Sequence, residues 1–163
     1  MRFKRQFGMP AALALSLCWG LAAPAQAADR HVGYYYPEPQ SQEVYEARSQ
    51  TMSEADRSLR IAFVTGITNQ ILAKQYAPTA AIFAKGEYGQ KLIITALEDG
   101  RIDTIYRARA IFANLTAVAR VMPIFRELGV QDWFTFFDLA KMLGFTQITI
   151  TNGREFAHQV LLQ

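Results

Sequence analysis

The chain has 163 residues, of which 51% are hydrophobic and 19% charged, with 17 Lys or Arg against 14 Asp or Glu. Its one cysteine, Cys18, lies near the N-terminus, which excludes a disulfide, a thiolate metal site and a cysteine nucleophile from the rest of the chain. A chain of this size can build one hydrophobic core without such cross-links.

Residues 1–27 have the pattern of a secretory signal peptide. Three of the first five residues are basic, an apolar run covers 11–23, and Ala25-Gln26-Ala27 is a small-x-small cleavage site. The run is shorter than the roughly 20 residues that span a membrane. We therefore expect cleavage after Ala27 and a periplasmic or secreted protein without a stable membrane span. An uncleaved N-terminal anchor is the alternative.

Cleavage would remove the excess of positive charge. Three of the 17 basic residues belong to residues 1–27, so 14 basic residues remain against 14 acidic ones in the cysteine-free mature chain. A neutral chain offers no broad basic surface. We therefore expect neither nucleic acid nor an anionic membrane surface as the partner.

Residues 28–52 are predicted to form an extended N-terminal segment. Pro37 and Pro39 disfavour helix around them, and Glu43–Gln50 alternates weakly, as a strand does. The run Tyr34-Tyr35-Tyr36 suits rings that pack against the domain surface. It suits a partner contact as well, because tyrosine favours sites that are half wet.

A single α+β domain is predicted over residues 53–163, beginning with a helix at roughly 54–74. Ser53-Glu54-Ala55-Asp56 resembles a capping box. The apolar residues that follow recur every four positions, at Leu59, Phe63, Ile67 and Ile71.

An antiparallel meander is predicted over 79–106, with strands near 79–85, 90–98 and 101–106. Asp99-Gly100 is a strong hairpin signal between the last two strands. The third strand is alternatively the start of the helix that follows and that Pro123 ends.

Residues 133–143 are predicted to form a helix that is apolar nearly all round, as core helices are. A partner groove or a homodimer face is the alternative. Asp138 and Lys141 are three positions apart, which suggests an ion pair on its surface.

The chain ends in a predicted hairpin over 146–161 with Asn152-Gly153 as a type I′ turn, although residues 154–161 also fit a short helix. Together the patterns predict an α+β fold, in which a small antiparallel sheet, made of the meander and this hairpin, packs against three to four helices.

No catalytic or metal-binding signature is present in the sequence, so we predict no catalytic residue, metal or cofactor. The two histidines, His31 and His158, stand in no ligand motif, and His158 is expected opposite Gln147 as a surface or satisfied residue. Neither a GxSxG elbow nor a glycine-rich phosphate loop occurs.

The meander is predicted to gather cationic side chains at one edge of its sheet, near the start of the following helix. Such a cluster favours a small anion or an acidic partner residue. Its members are Lys85, Lys91, Tyr106, Arg107 and Arg109. The alternative is that these side chains extend into solvent or pair with acids elsewhere, such as Glu46 or Asp138.

Exposed aromatic residues suggest a second surface, for a protein partner. Its candidate residues are Tyr34, Tyr35, Tyr36, Trp133 and Phe137.

Several short motifs, spread over nearly the whole mature chain, resemble a family of small exported bacterial proteins without established function. They are Tyr34-Tyr35-Tyr36-Pro37, Phe63-Val64-Thr65-Gly66, Phe83-Ala84-Lys85-Gly86, Asp99-Gly100-Arg101, the segment 103–110 and Phe136-Phe137-Asp138-Leu139. Members often carry the label molybdopterin-guanine dinucleotide biosynthesis protein A. The enzymes of that name have a nucleotide loop, LAGGxSxRMGxxK, which no stretch of this chain matches, so no enzymatic residue carries over.

These patterns favour a periplasmic or secreted binding or accessory domain over an enzyme, with a protein partner or a small anionic ligand. The alternatives are an enzyme related to that label or with an unrecognised site, and a structural envelope protein that acts through its aromatic helix.

Overall fold

The computed structural model describes residues 36–73 and 75–163, and the predicted signal peptide, Tyr34 and Tyr35 lie outside them. Five strands and four helices follow one another in this part of the chain. In order they are β1 (Ser41–Tyr45), α1 (Arg57–Leu72), β2 (Ala80–Lys85), β3 (Lys91–Ala96), α2 (Ile105–Arg120), α3 (Pro123–Glu127), α4 (Phe136–Met142), β4 (Gln147–Thr151) and β5 (Ala157–Leu162).

The strands form one mixed sheet in the order β1-β5-β4-β3-β2. The β2–β3 and β4–β5 pairs are antiparallel, and the two pairs join through parallel pairing of β3 with β4. β1 adds to the free edge of β5 in parallel. Parallel neighbours need a long connection, and α2, α3 and α4 supply it between β3 and β4.

The hydrophobic core lies between one face of this sheet and the helices. Side chains alternate across a strand, and the central strands place Leu92, Ile94, Ile148 and Ile150 on the helix side, all of them buried. The helices pack against these residues with large apolar side chains, among them Phe63, Phe112, Phe136 and Leu139. We call this side of the sheet the helix face.

Each of the three longer connections into a helix carries its own capping residue. Asp56 accepts a hydrogen bond from the Leu59 amide at 2.7 Å, so α1 begins a few residues later than the sequence pattern suggested. Thr104 caps α2, and Thr135 caps α4. A side-chain oxygen at this position satisfies an amide that the helix itself leaves unpaired.

The predicted α+β class is confirmed, although the sheet is mixed and not purely antiparallel. The prediction of a third strand in the meander is wrong. Residues 101–104 form bends, and Ile105 already begins α2. The threonine cap at 104 and the buried Ala108 and Phe112, four residues apart, favour a helix over a third strand here.

The C-terminal hairpin is confirmed, but its turn and its register differ from the prediction. The connection runs over residues 152–156, and the Asn152 side-chain oxygen accepts hydrogen bonds from the amides of 154, 155 and 156, each at 3.0 Å. The longer turn places His158 opposite Ile150, whereas Gln147 faces Leu161. His158 is therefore buried and not a surface residue.

The aromatic helix is confirmed as a core element over the shorter range Phe136–Met142. The surface ion pair predicted within it is wrong. Asp138 is fully buried and caps its own helix, and the Lys141 ammonium donates instead to the Leu162 carbonyl at 3.4 Å.

In residues 36–73 and 75–163, no helix has the length and apolar character needed to cross a membrane.

Candidate functional site

A cluster of polar side chains lies where β1 pairs with β5. The parallel register places Ser41 opposite His158 and Glu43 opposite Val160. Because side chains alternate along a strand, Ser41, Glu43 and Tyr45 share the helix face. A serine, a glutamate and a tyrosine thus line an edge whose neighbouring strands carry the hydrophobic core.

His158 is the most buried member of the cluster, with 2% of its surface exposed. Its Nδ1 lies 2.8 Å from Ser41 Oγ, and its Nε2 lies 3.3 Å from Glu43 Oε1. The second contact lacks hydrogen-bonding geometry, so we treat it as electrostatic. A proton on Nε2 would face the negative carboxylate, which is electrostatically favourable. This favours the tautomer with its proton on Nε2 and the Ser41 hydroxyl donating to Nδ1.

Glu43 joins this cluster to α2. Its Oε2 lies 2.9 Å from Arg109 Nη2. Burial alone raises the pKa of Glu43, but the hydrogen bond and the charge of Arg109, together with the nearby polar ring of His158, outweigh burial and lower the pKa below its usual value. The carboxyl group is therefore ionised at neutral pH.

Tyr45 is held by a second network centred on Asp138. The fully buried Asp138 carboxylate accepts hydrogen bonds from the Tyr45 hydroxyl at 3.1 Å, the Arg48 amide at 2.8 Å and the Thr135 amide at 2.7 Å. Burial, followed by the Asp138 charge and its hydrogen bond, raises the pKa of Tyr45 against the opposing effect of Thr135. Four donors, counting the Thr135 hydroxyl at 2.9 Å, satisfy a charge that would otherwise be costly to bury.

A cavity of about 290 Å³ opens beside this cluster, between β1, α2 and the start of α4. Its floor is aromatic, because the Phe137 ring lies 4.8 Å from that of Tyr45 and 4.9 Å from that of Phe112. Its charged lining residues are Glu43 and Arg109, and Thr116 and Thr135 line it as well. We call this the β1 cavity. It combines an apolar surface with a few fixed polar groups, as small-molecule sites do.

A larger cavity of about 580 Å³ lies elsewhere, along α1. The described residues that line it, such as Arg57, Ile61 and Gly66, all come from this one helix and are exposed. It contains no convergent set of polar groups from several elements. The smaller β1 cavity is therefore the better candidate for a specific site.

The structure does not bring the predicted anion-binding residues into one cluster. Lys85 and Lys91 face each other across the β2–β3 pair. They lie on the side of the sheet opposite the helix face, where Lys85 Nζ is 5.6 Å from the Tyr36 ring centroid. Arg109 contacts β1, which is the other edge of the sheet. Four strand spacings of about 4.8 Å separate the two edges by roughly 19 Å.

Arg107 and Tyr106 are not among the residues that line the β1 cavity. Arg107 pairs with Asp103 at 2.9 Å and donates to the Gly100 carbonyl, which ties the first turn of α2 to the loop before it. Tyr106 is exposed. Anion binding by the predicted set stays a prediction, and only Arg109 belongs to the β1 cavity.

The residues of the predicted partner surface also lie in different parts of the fold. Trp133 precedes α4 and is 67% exposed, whereas Phe137 is half-buried in the floor of the β1 cavity. Tyr36 stacks with Lys85 on the opposite side of the sheet. A role for any of them in binding a partner stays a prediction.

Sequence reasoning missed Ser41, Glu43, Tyr45 and Thr135 as site residues and expected His158 only as a surface or satisfied residue. The alternating pattern around residue 43 was the one available signal, since it indicates a strand with two faces. The partner of Ser41 on β5 is 117 residues away, and the partner of Glu43 on α2 is 66 residues away. A pairing over such distances has no signature in the local sequence.

In the part of the chain that the structure describes, no three His, Cys, Asp or Glu side chains are grouped so that they could hold a metal ion. Comparisons of the chain with models of protein families, with curated proteins and with solved structures found no match. The resemblance to the exported family therefore stays a prediction.

Proposed function

We propose that this chain is an exported binding domain that holds a small amphipathic organic acid in the β1 cavity. The observation that carries the proposal is that the exposed Arg109 lines the same cavity as the aromatic rings of Phe112 and Phe137. Its guanidinium would pair with a carboxylate, for which its planar fork of donors is well matched. The aromatic floor would receive the apolar part of the ligand.

The size and exposure of the cavity support a small ligand. Its volume, about 290 Å³, lies just below the usual range for ligand pockets, roughly 300–1,000 Å³. The Arg109 side chain is 61% exposed, and the Glu43 side chain with which it pairs is 33% exposed. An ion pair so accessible to water contributes little to stability, so Arg109 is free to change partners at small cost.

Export is part of the proposal and is supported by the signal-peptide pattern of residues 1–27. The mass of the protein recovered from the periplasm or the medium tests it. We expect a chain that begins at Ala28. Full-length protein in the membrane fraction would contradict export without bearing on the cavity.

A titration with 3-phenylpropanoate tests the binding function, because this probe joins a carboxylate to an aromatic ring. We expect saturable NMR shifts of the Arg109 side chain. Arg109→Gln should weaken binding by at least about tenfold, since a charge-assisted hydrogen bond contributes about 1.5–3 kcal/mol. Lys85→Gln removes a cation at the other edge of the sheet and should leave affinity unchanged. Equal loss in both variants would indicate non-specific attraction and contradict the proposal.

A second candidate function is acyl hydrolysis, and the 2.8 Å contact between Ser41 Oγ and His158 Nδ1 is the observation that favours it. Ser41 would attack an ester carbonyl carbon while His158 accepts its proton, with Glu43 stabilising the charged ring. The proton would pass to the departing alcohol, and water would then release the acid from Ser41. However, Ser41 does not line the β1 cavity, so we rank this function second.

Labelling with a fluorophosphonate probe separates the two functions. A hydrolase would be modified at Ser41, and Ser41→Ala would lose the label. A binding domain would remain unlabelled and would keep its affinity for 3-phenylpropanoate in the Ser41→Ala variant.

A further inference from the structure

The β1 cavity presents two opposite charges to a ligand. Glu43 and Arg109 both line it, and their charged atoms lie 2.9 Å apart. The cavity is thus close to neutral. An anion that pairs with Arg109 must approach the Glu43 carboxylate, and two like charges at such short range repel each other.

Glu43 has a second contact that Arg109 lacks. Its Oε1 faces His158 Nε2 at 3.3 Å, while its Oε2 faces Arg109. His158 is buried and also bonded to Ser41, so one oxygen of Glu43 stays next to a fixed group when Arg109 turns to a ligand. The other oxygen then has no partner and is available for a cation.

We propose that the natural ligand of the β1 cavity is a zwitterion, namely a free α-amino acid with an apolar side chain. The ligand carboxylate binds Arg109, its ammonium binds Glu43 Oε2, and its side chain packs on Phe112 and Phe137. The inference rests on the proposed binding function and names the ligand class of the same site.

An α-amino acid fits because it offers one positive and one negative group close together, as the Glu43–Arg109 ion pair that it replaces does. In the free protein a carboxylate and a guanidinium that both line the cavity lie in contact. An α-amino acid carries its carboxylate and its ammonium on a single carbon atom, so it can satisfy both protein groups at once. No charge is left unpaired in the bound state. A simple anion would leave the Glu43 carboxylate unpaired, and that is the main electrostatic cost of binding such an anion here.

Three probes with the same aromatic ring test this inference on the unmodified protein by calorimetric titration. L-Phenylalanine carries both charges, 3-phenylpropanoate carries the carboxylate alone, and phenethylamine carries the ammonium alone. We expect L-phenylalanine to bind at least about tenfold more tightly than either singly charged probe, which is the ratio for one additional charged contact.

Glu43→Gln keeps the shape of the side chain and removes its charge. It should weaken L-phenylalanine binding by about tenfold and strengthen 3-phenylpropanoate binding, because the carboxylate that repels the anion is gone. Glu46→Gln is the matched control, because Glu46 lies beyond the end of the same strand and is exposed. It should change neither affinity. Circular dichroism of each variant shows that the fold is intact.

The outcomes separate this inference from the broader function. If 3-phenylpropanoate binds as tightly as L-phenylalanine in the unmodified protein, the cavity holds organic acids and the zwitterion inference is wrong. If none of the three probes binds, both the inference and the proposed function are wrong. The comparison of probes needs no variant, so a misfolded Glu43→Gln protein would leave the test decisive.

Discussion

The guanidinium of Arg60 occupies the space that a side chain at Gly144 would need. Arg60 is buried on α1. It donates to the Tyr88 carbonyl from Nε and Nη2, at 3.0 and 2.9 Å, and to the Leu143 and Gly144 carbonyls from Nη1, each at 3.3 Å. One side chain therefore ties α1 to the β2–β3 turn and to the end of α4.

Gly144→Ala is expected to destabilise the protein by about 1–3 kcal/mol. Gly144 has a φ of 79°, which other residues rarely adopt, and an added methyl group would collide with Arg60. Gly66→Ala is the matched control. Gly66 lies within α1 with no neighbouring atom near its missing side chain, so alanine should stabilise the fold by about 0.5–1 kcal/mol. Urea unfolding of both variants measures the difference, and equal effects would contradict it.

Asp138→Ala is expected to cost at least about 3 kcal/mol of stability. It would leave the Tyr45 hydroxyl and the amides of Arg48 and Thr135 without their acceptor, and each buried unsatisfied group costs about 1–3 kcal/mol. The midpoint of urea unfolding measures the loss. A change below about 1 kcal/mol would mean that water replaces the carboxylate, and that Asp138 does not organise this region.

The two aromatic residues at either end of the Trp133–Phe136 segment should differ strongly on truncation. Phe136→Ala should cost about 3–5 kcal/mol, because Phe136 is buried in the core. Trp133→Ala should stay within about 0.5 kcal/mol, since the ring is largely exposed. Thermal unfolding measures both. A large loss for Trp133→Ala would show that its ring is covered in solution.

Stability should depend on pH through Glu43. Its folded pKa is lowered, so the unfolded state binds the proton more readily, and stability rises with pH through this range. The contribution is complete above the usual glutamate pKa of about 4.3 and is lost as the pH falls through the folded pKa. Because both partners are partly exposed, we expect only about 0.2–1 kcal/mol.

Glu43→Gln isolates this contribution. The difference in unfolding free energy between wild type and variant should be present at pH 7 and absent near pH 3. A difference that stays constant over this range would show that the ionised carboxylate does not stabilise the fold.

The parts of the fold that were predictable from the sequence are those encoded locally. The apolar spacing of Leu59, Phe63 and Ile67 predicts α1, and the turn residues near Asn152 predict the C-terminal hairpin. Each of these signals lies within about 20 residues of chain. The α+β class follows from them.

The sheet order and the β1 cavity were not predictable, because they depend on pairings between distant segments. β1 and β5 join opposite ends of the described chain, and nothing in Ser41 or Glu43 specifies His158 as a neighbour. The hairpin register depended on a turn of five residues in place of two, which placed the buried His158 opposite Ile150 and not opposite Gln147. The sequence suggested Arg109 as a site residue, but its acidic partner was found only in the structure.

The position of a bound ligand tests the central claim most directly. In the complex with 3-phenylpropanoate, NOEs should connect the protons of the probe ring to the rings of Phe112 and Phe137. No NOE should appear to Tyr36, on the other side of the sheet. Contacts with Tyr36, or saturable binding without any contact to Phe112 or Phe137, would contradict the assignment of the β1 cavity as the binding site.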